Sequence, residues 1–201
     1  MNNLPDFKYE RLLTCLVSDK NTYDKLDRKY DMVYSLDKID GCILKLPRVI
    51  QEYPECKDEV MIGEIGGFNK YSKVYTDFSF NVVNSYTVAF LHSLGAKRIT
   101  LSYELEDMQI KEIIDAYHKR YGKHPNLELI VSGYEEVMIS KYSLNKDYKQ
   151  EDLYLRDMFG NKFRVRTRDN LMYIYNYKKR NKYDTKYYDM GVNALRINLD
   201  I

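Results

Sequence analysis

The chain predicts an α/β fold: a partial (β/α) barrel-like parallel sheet with flanking helices, followed by a small antiparallel β region. Three observations carry this. Short apolar runs alternate with helix-patterned segments up to about residue 133, the signature of parallel strands with helical crossovers. Four to five such strand–helix units precede residue 133, and a closed barrel needs eight strands. Beyond residue 135 the segments VMISKYSL, DLYLRDMFGNKFRVRTRD and LMYIYNY read as antiparallel strands. The expected division is residues 1–135 as a barrel-like domain and 136–201 as an antiparallel extension packed on it.

The elements follow in order. LLTCLV (12–17) suits a strand buried on both faces, and Ser18 and Asp19 offer helix N-caps before NTYDKLDRKY. MVYSL (32–36) and CILKL (42–46) are the next strands, with Pro47 punctuating the exit. VMIGEIGG (60–67) reads as a strand ending in a glycine turn, and VYTDFSF (74–80) as another strand. Asn81 or Asn84 caps a helix to about Leu94, which Gly95 stops. RITLS (98–102) is a buried strand. Ser102 then caps a helix whose apolar positions Leu105, Met108, Ile113, Ile114, Tyr117 and Tyr121 keep helical spacing, and Gly122 ends it. LELIVSG (127–133) is a strand, Phe159-Gly160-Asn161 a hairpin turn, 183–192 a short helix and ALRINL (194–199) a last strand.

Composition narrows the function classes. The formal net charge is +2, so the whole chain carries no strong electrostatic signal. No run of 18 apolar residues occurs, and the N-terminus lacks a basic flank and an apolar core. A cytoplasmic protein with no membrane partner is therefore expected. Cys15, Cys42 and Cys56 form no CxxC, and Cys15 and Cys42 lie in apolar runs as small buried residues. His92, His118 and His124 show no ligand spacing, so neither metal nor cofactor is expected. GxSxG and HExxH are both absent.

The segment TDFSFNVVNSYTVAFLHSLGAKRITLSYELEDMQIKEI (76–113) resembles a central stretch of the collagenase-like peptidases of unassigned catalytic type (peptidase family U32). The matching positions are Asp77, Asn81, Asn84, Ser85, Gly95, Thr100, Leu101, Ser102, Glu104 and Leu105. Glu128, Gly133 and Met138, and the tail YLRDMFGNKFRV, are similar to later family segments; LPRV (46–49) and ALRINL fit more weakly. The resemblance implies the C-terminal part of such a peptidase, a fragment that need not be active alone. Its implied partners are a missing N-terminal half or a second copy, because an incomplete barrel leaves sheet edges unpaired. Many relatives carry cysteines associated with an iron–sulfur cluster. Here the expected position is Ser143, and no cysteine follows Cys56, so the roughly four thiolates a cluster needs are lacking.

Candidate site residues lie at or just beyond strand ends, where parallel sheets bind ligands. Asp77 and Glu104 are the candidate catalytic carboxylates, and Asn81, Asn84 and Ser102 the candidate peptide-binding residues. Asn84 and Ser102 also satisfy helix-capping grammar without any ligand. A different reading comes from the basic third of the chain: residues 162–182 hold eight bases and one acid. Lys162, Arg164, Arg166 and Arg168 share one strand face, and Tyr173, Tyr175 and Tyr177 alternate nearby. Such a face suits RNA, but a solvated hairpin side is the ordinary pattern of antiparallel sheets and is the favoured reading. The alternative function is thus an RNA-associated or non-enzymatic binding module.

Overall fold

A computed structural model describes residues 4–50, 52–56, 59–142, 144 and 153–199. Two compact units emerge, one of residues 1–131 with 183–201, the other of residues 132–182.

The first unit is a closed parallel barrel. Its strands are β1 (Leu12–Val17), β2 (Met32–Ser35), β3 (Ile43–Lys45), β4 (Val60–Ile62), β5 (Val74–Thr76), β6 (Ala96–Thr100), the first part of β7 (Leu127–Ser140) and β11 (Ala194–Asn198). Neighbours pair in that order, and β11 pairs with both β1 and β7. The register Leu12↔Ala194 through Leu16↔Asn198 is parallel. The barrel-like parallel sheet is therefore as the sequence predicts, but it is complete rather than partial. The expected strand ALRINL belongs to the barrel, not to the antiparallel extension, and it fills the edge that an open sheet would have left.

The shortfall in the count has a physical source. β1 to β5 follow one another with little helix between them: α1 (Lys20–Asp24) and α2 (Gly67–Lys70) are single turns, and none lies between β2 and β4 among the described residues. The staves themselves are legible as strands in the sequence, but counting strand–helix units gives only four to five, and ALRINL is counted with the extension. Among the described residues only α3 (Ser85–Ser93) and α4 (Asp107–Tyr121) are full helices, and α5 (Lys186–Asp189) precedes β11.

Strand alternation sorts the side chains into two layers. Cys15, Val17, Ile99, Leu101, Leu127, Leu129, Leu195 and Ile197 face outward and join Val88, Leu91, Ile110, Ile113, Ile114 and Tyr117 from α3 and α4 in the main core. The opposite parity faces inward. Leu16, Tyr34, Met61 and Tyr75, from four different strands, pack together inside the barrel.

Caps fix the helix starts. Asp19 accepts from the Thr22 N–H at 2.8 Å and Asn84 from the Thr87 N–H at 2.9 Å, as expected for both. Ser102 is not a cap. Helix α4 starts four residues later, with Glu106 in a reciprocal capping box with Gln109. Gly122 ends it at φ 63°, left-handed backbone that glycine adopts without a Cβ clash. No described helix is long and apolar enough to cross a membrane.

The second unit is an antiparallel sheet in which the later part of β7 pairs with β10 (Leu171–Asn181), β10 with β9 (Lys162–Arg168) and β9 with β8 (Leu153–Arg156). Val165, Met172 and Ile174 form its core with Leu153 and Phe163.

Candidate functional site

The barrel interior holds a charged network that spans the ring. Arg196, the middle residue of β11, is fully buried. Its Nη2 lies 2.6 Å from Asp77 Oδ1, its Nη1 lies 3.2 Å from Glu128 Oε2, and Nη1 also reaches the Met61 sulfur at 3.0 Å. Asp77 directly follows β5, and its other oxygen sits 3.0 Å from Lys45 Nζ at the end of β3. Glu128 Oε1 accepts from the hydroxyls of Thr14 (2.8 Å) and Tyr34 (3.1 Å), and Oε2 from Thr100 (3.1 Å). The two carboxylates face the cations Lys45 and Arg196, the buried Arg98 adds a third positive charge beside Tyr34 and Glu128, and the three hydroxyls complete the shell of Glu128. That pairing is what a charge needs when it leaves water.

The electrostatics follow from this geometry. Burial alone pushes the Asp77 carboxyl up, but Lys45 and Arg196 outweigh it and hold the group at about 2. Burial opposes the charge on Arg196 too, and Glu128 and Asp77 more than restore it, so its affinity for the proton is raised. Burial and the adjacent Glu128 carboxylate raise the Tyr34 phenol well above its ordinary range, so it donates to Glu128 and does not ionise. Asp77 is thus a fixed negative charge at neutral pH rather than a proton shuttle.

The loops beyond β5 and β6 are tied together at the carboxyl end of the barrel. Residues Phe78–Phe80 form a 3-10 turn that ends at Asn81, whose φ of 48° is left-handed. Ser102 Oγ donates to Asn81 Oδ1 at 2.7 Å and accepts from the Glu104 N–H at 3.3 Å. The rings of Phe78 and Tyr103 meet with centroids 4.6 Å apart. Val82 and Leu101 form a parallel bridge. The structure therefore brings Asp77, Asn81, Ser102 and Glu104 to neighbouring loops of one rim. Their exposures differ: Asp77 and Ser102 are buried, while Asn81, Asn84 and Glu104 are exposed. Glu104 precedes α4, in the turn between β6 and that helix. The carboxylate that shares a cation with Asp77 is Glu128. Asn84 turns its carbonyl oxygen to its own helix, receiving Thr87.

Sequence reasoning missed Arg196, Lys45, Thr14 and Tyr34 as site residues. A basic residue in the middle of an otherwise apolar strand, ALRINL or CILKL, was the available signal: on the inward face of a barrel it needs a buried counter-charge. Within the interior, Arg196 Nε and Asn198 Oδ1 are buried with no hydrogen-bond partner among the described residues, leaving polar capacity unused.

The four basic residues of β9 sit in the second unit. Lys162 is exposed, and Arg164, Arg166 and Arg168 are half-buried. Arg164 pairs in register with Tyr175 and Arg166 with Tyr173. Both tyrosines are buried, so they offer little open ring face for a base.

The cysteines do not fit a metal cluster. Burial pushes the Cys15 thiol up to about 12, far from the thiolate a metal binds, and Cys42 is raised for the same reason. Ser143 lies outside the described residues. Among the described residues no three His, Cys, Asp or Glu side chains converge as a metal site would require.

Comparison with known proteins places the rim in a family. Residues 58–157 match the model of Peptidase family U32. No curated protein and no solved structure matches the chain. The matched segment contains β4 to β8 and with them Asp77, Asn81, Ser102, Glu104 and Glu128, the residues around which the rim and the interior network are built. On that match, and on a barrel whose fifth and sixth strands carry the resemblance, the chain belongs to peptidase family U32.

Proposed function

We propose that the chain is a peptide-bond hydrolase that works at the carboxyl rim of its barrel. The observation that carries this is the Lys45–Asp77 pair at the ends of β3 and β5, beside the loop tie between Asn81 and Ser102. Parallel barrels bind and transform ligands at this end because loop residues from several strands converge there. Asp77 supplies a fixed charge that orients the Lys45 ammonium, whose side chain keeps 11% of its surface open. In the proposed reaction the Lys45 ammonium and the Asn81 amide stabilise the oxyanion as water adds to the peptide carbonyl. Glu104, the exposed carboxylate of the neighbouring loop, takes the proton from that water and returns it to the departing amine. Closure of the barrel by strands of this chain alone supports activity without an added N-terminal half.

The basic face of β9 gives the RNA reading less support, because three of its four cations are half-buried, two of them opposite buried tyrosines of the same sheet.

The test is cleavage of gelatin and of a fluorogenic peptide library by the purified chain, with Asp77→Asn and Glu104→Gln. Cleavage by the parent protein, loss of it in Glu104→Gln and unchanged melting of that variant support the reading. A parent protein that cleaves nothing, or a Glu104→Gln variant as active as the parent, overturns it.

A further inference from the structure

The β8–β9 hairpin ends in a turn that presents two large apolar side chains to solvent: Met158 is 91% exposed and Phe159 82%. These exposures are not the product of a loose loop. Asp157 Oδ1 accepts from the N–H groups of Phe159 and Asn161, both at 2.9 Å, and Oδ2 accepts from the Asn161 amide at 2.7 Å. The Gly160 N–H donates to the Asp157 carbonyl at 3.1 Å, and the Asp157 N–H to the Asn161 carbonyl at 3.2 Å. Gly160 is left-handed at φ 87°, with nothing within 4 Å of where a Cβ would sit. The turn therefore uses its own carboxylate to satisfy its backbone donors and holds Met158 and Phe159 out.

Immediately behind the tip, Arg156 and Lys162 face each other across the hairpin as register partners. Both are exposed, and neither has an ion-pair or hydrogen-bond partner among the described residues. Two strand positions further back, Tyr154 is 53% exposed opposite Arg164. The order along the hairpin axis is apolar tip, then unpaired cations, then an amphipathic ring.

We propose that this hairpin is an anchor for an anionic phospholipid surface, with Met158 and Phe159 entering the acyl boundary and Arg156 and Lys162 meeting the headgroup phosphates. Two features favour lipid over a nucleic acid. The N–H groups of Asp157, Phe159, Gly160 and Asn161 are spent within the turn, which lowers the cost of approaching hydrocarbon, whereas a base or phosphate would be met by open donors. The exposed apolar pair includes Met158, which has no ring to stack on a base, while both side chains partition into a membrane interface. The paired cations match a leaflet that is negatively charged.

The chain contains no tryptophan, so Phe159→Trp gives a single reporter in the full chain. Mixed phosphatidylcholine–phosphatidylglycerol vesicles should shift its emission to the blue and sediment the protein, and phosphatidylcholine vesicles alone should do neither. Met158→Ser with Phe159→Ser should abolish sedimentation without changing the melting temperature, since both side chains are in solvent. Arg156→Glu with Lys162→Glu should weaken partitioning by roughly tenfold or more, since each basic group near an anionic leaflet contributes about fivefold. The proposal is overturned if the parent chain ignores the anionic vesicles, or if the double serine variant sediments as the parent does. It is also overturned if single-stranded RNA, and not vesicles, shifts the indole emission of the Phe159→Trp variant.

Discussion

Arg196 and Asp77 lie 119 residues apart in the chain and 2.6 Å apart in the barrel, joined Nη2 to Oδ1 with both side chains out of water. Arg196 also faces Glu128. Removing it takes the ion-pair partner from Glu128 and one of the two cations from Asp77, which keeps Lys45. Arg196→Met is expected to cost about 3–5 kcal/mol, the usual penalty for breaking a buried pair by deleting one partner. Arg196→Lys keeps the charge but cannot span both acids, and its loss is expected to be smaller. Urea denaturation measures both; a loss below about 1 kcal/mol for Arg196→Met would show that the network is not holding the interior together.

Asp77 sets an acid limit on stability. Its folded-state value of about 2 lies below its ordinary 3.8. The contribution is therefore fully present above 3.8 and is lost as the pH falls through 2. The shift corresponds to about 2 kcal/mol. Asp77→Asn is expected to remove this part of the pH dependence, read by denaturant midpoints across that window.

His92 sets a second, milder limit. Its Nδ1 bonds the Ala96 carbonyl at 2.8 Å and its Nε2 accepts the Asn126 N–H at 3.2 Å, so the ring is neutral with the proton on Nδ1. Burial lowers it from 6.5 to about 4. The unfolded chain binds a proton that the folded one refuses, so stability falls as pH drops from 6.5 toward 4, by about 3 kcal/mol at most. His92→Gln can keep one donor and one acceptor without titrating, and its stability is expected to be flatter over this range.

The Asn81–Ser102 tie is open to a double-mutant cycle. Asn81→Gly tolerates the left-handed backbone and loses only the side-chain bond, and Ser102→Ala loses its partner. Each is expected to cost about 1 kcal/mol, with the double variant costing less than the sum. Asn81→Ala adds about 1–2 kcal/mol from the positive φ. Strict additivity in thermal or urea unfolding would mean that the two loops are not coupled.

Gly63, in the loop after β4, is crowded by the segment after β3: an added Cβ would sit 2.7 Å from Arg48 Cβ and 2.8 Å from its Cα. Gly63→Ala is expected to destabilise the chain by about 1–3 kcal/mol. Because the Gly63 carbonyl also accepts from Ser79 Oγ at 2.7 Å, the same change is expected to lower peptide cleavage at the rim. Denaturation and cleavage assays read the two effects separately.

Much of the barrel was legible in residue order, because its strands are short apolar runs and its two long helices carry caps. Asn84, Asp19, Gly95 and Gly122 act at the positions that local rules give them. The rules failed where tertiary partners decide. Ser102 looks like a cap but spends its hydroxyl on Asn81, a residue 21 positions earlier. ALRINL reads only as a last strand, and the role of Arg196 appears once seven other strands enclose it. Of the candidate site, the rim loops were visible as a run of polar residues after two strands. The interior network was not, because its members Lys45, Asp77, Glu128 and Arg196 come from four strands whose adjacency only closure of the ring creates.

That closure has a consequence for synthesis. β1 is made about 180 residues before its neighbour on one side, β11, which begins at residue 194. Until β11 emerges, the nascent chain carries two bare parallel edges and an Asp77 and Glu128 that lack their shared arginine. Such long-range pairing is slow to form and exposed to aggregation. A chain that stops before residue 194 would therefore give a product that collapses and seeks other chains, and chaperone demand should fall once β11 has been made.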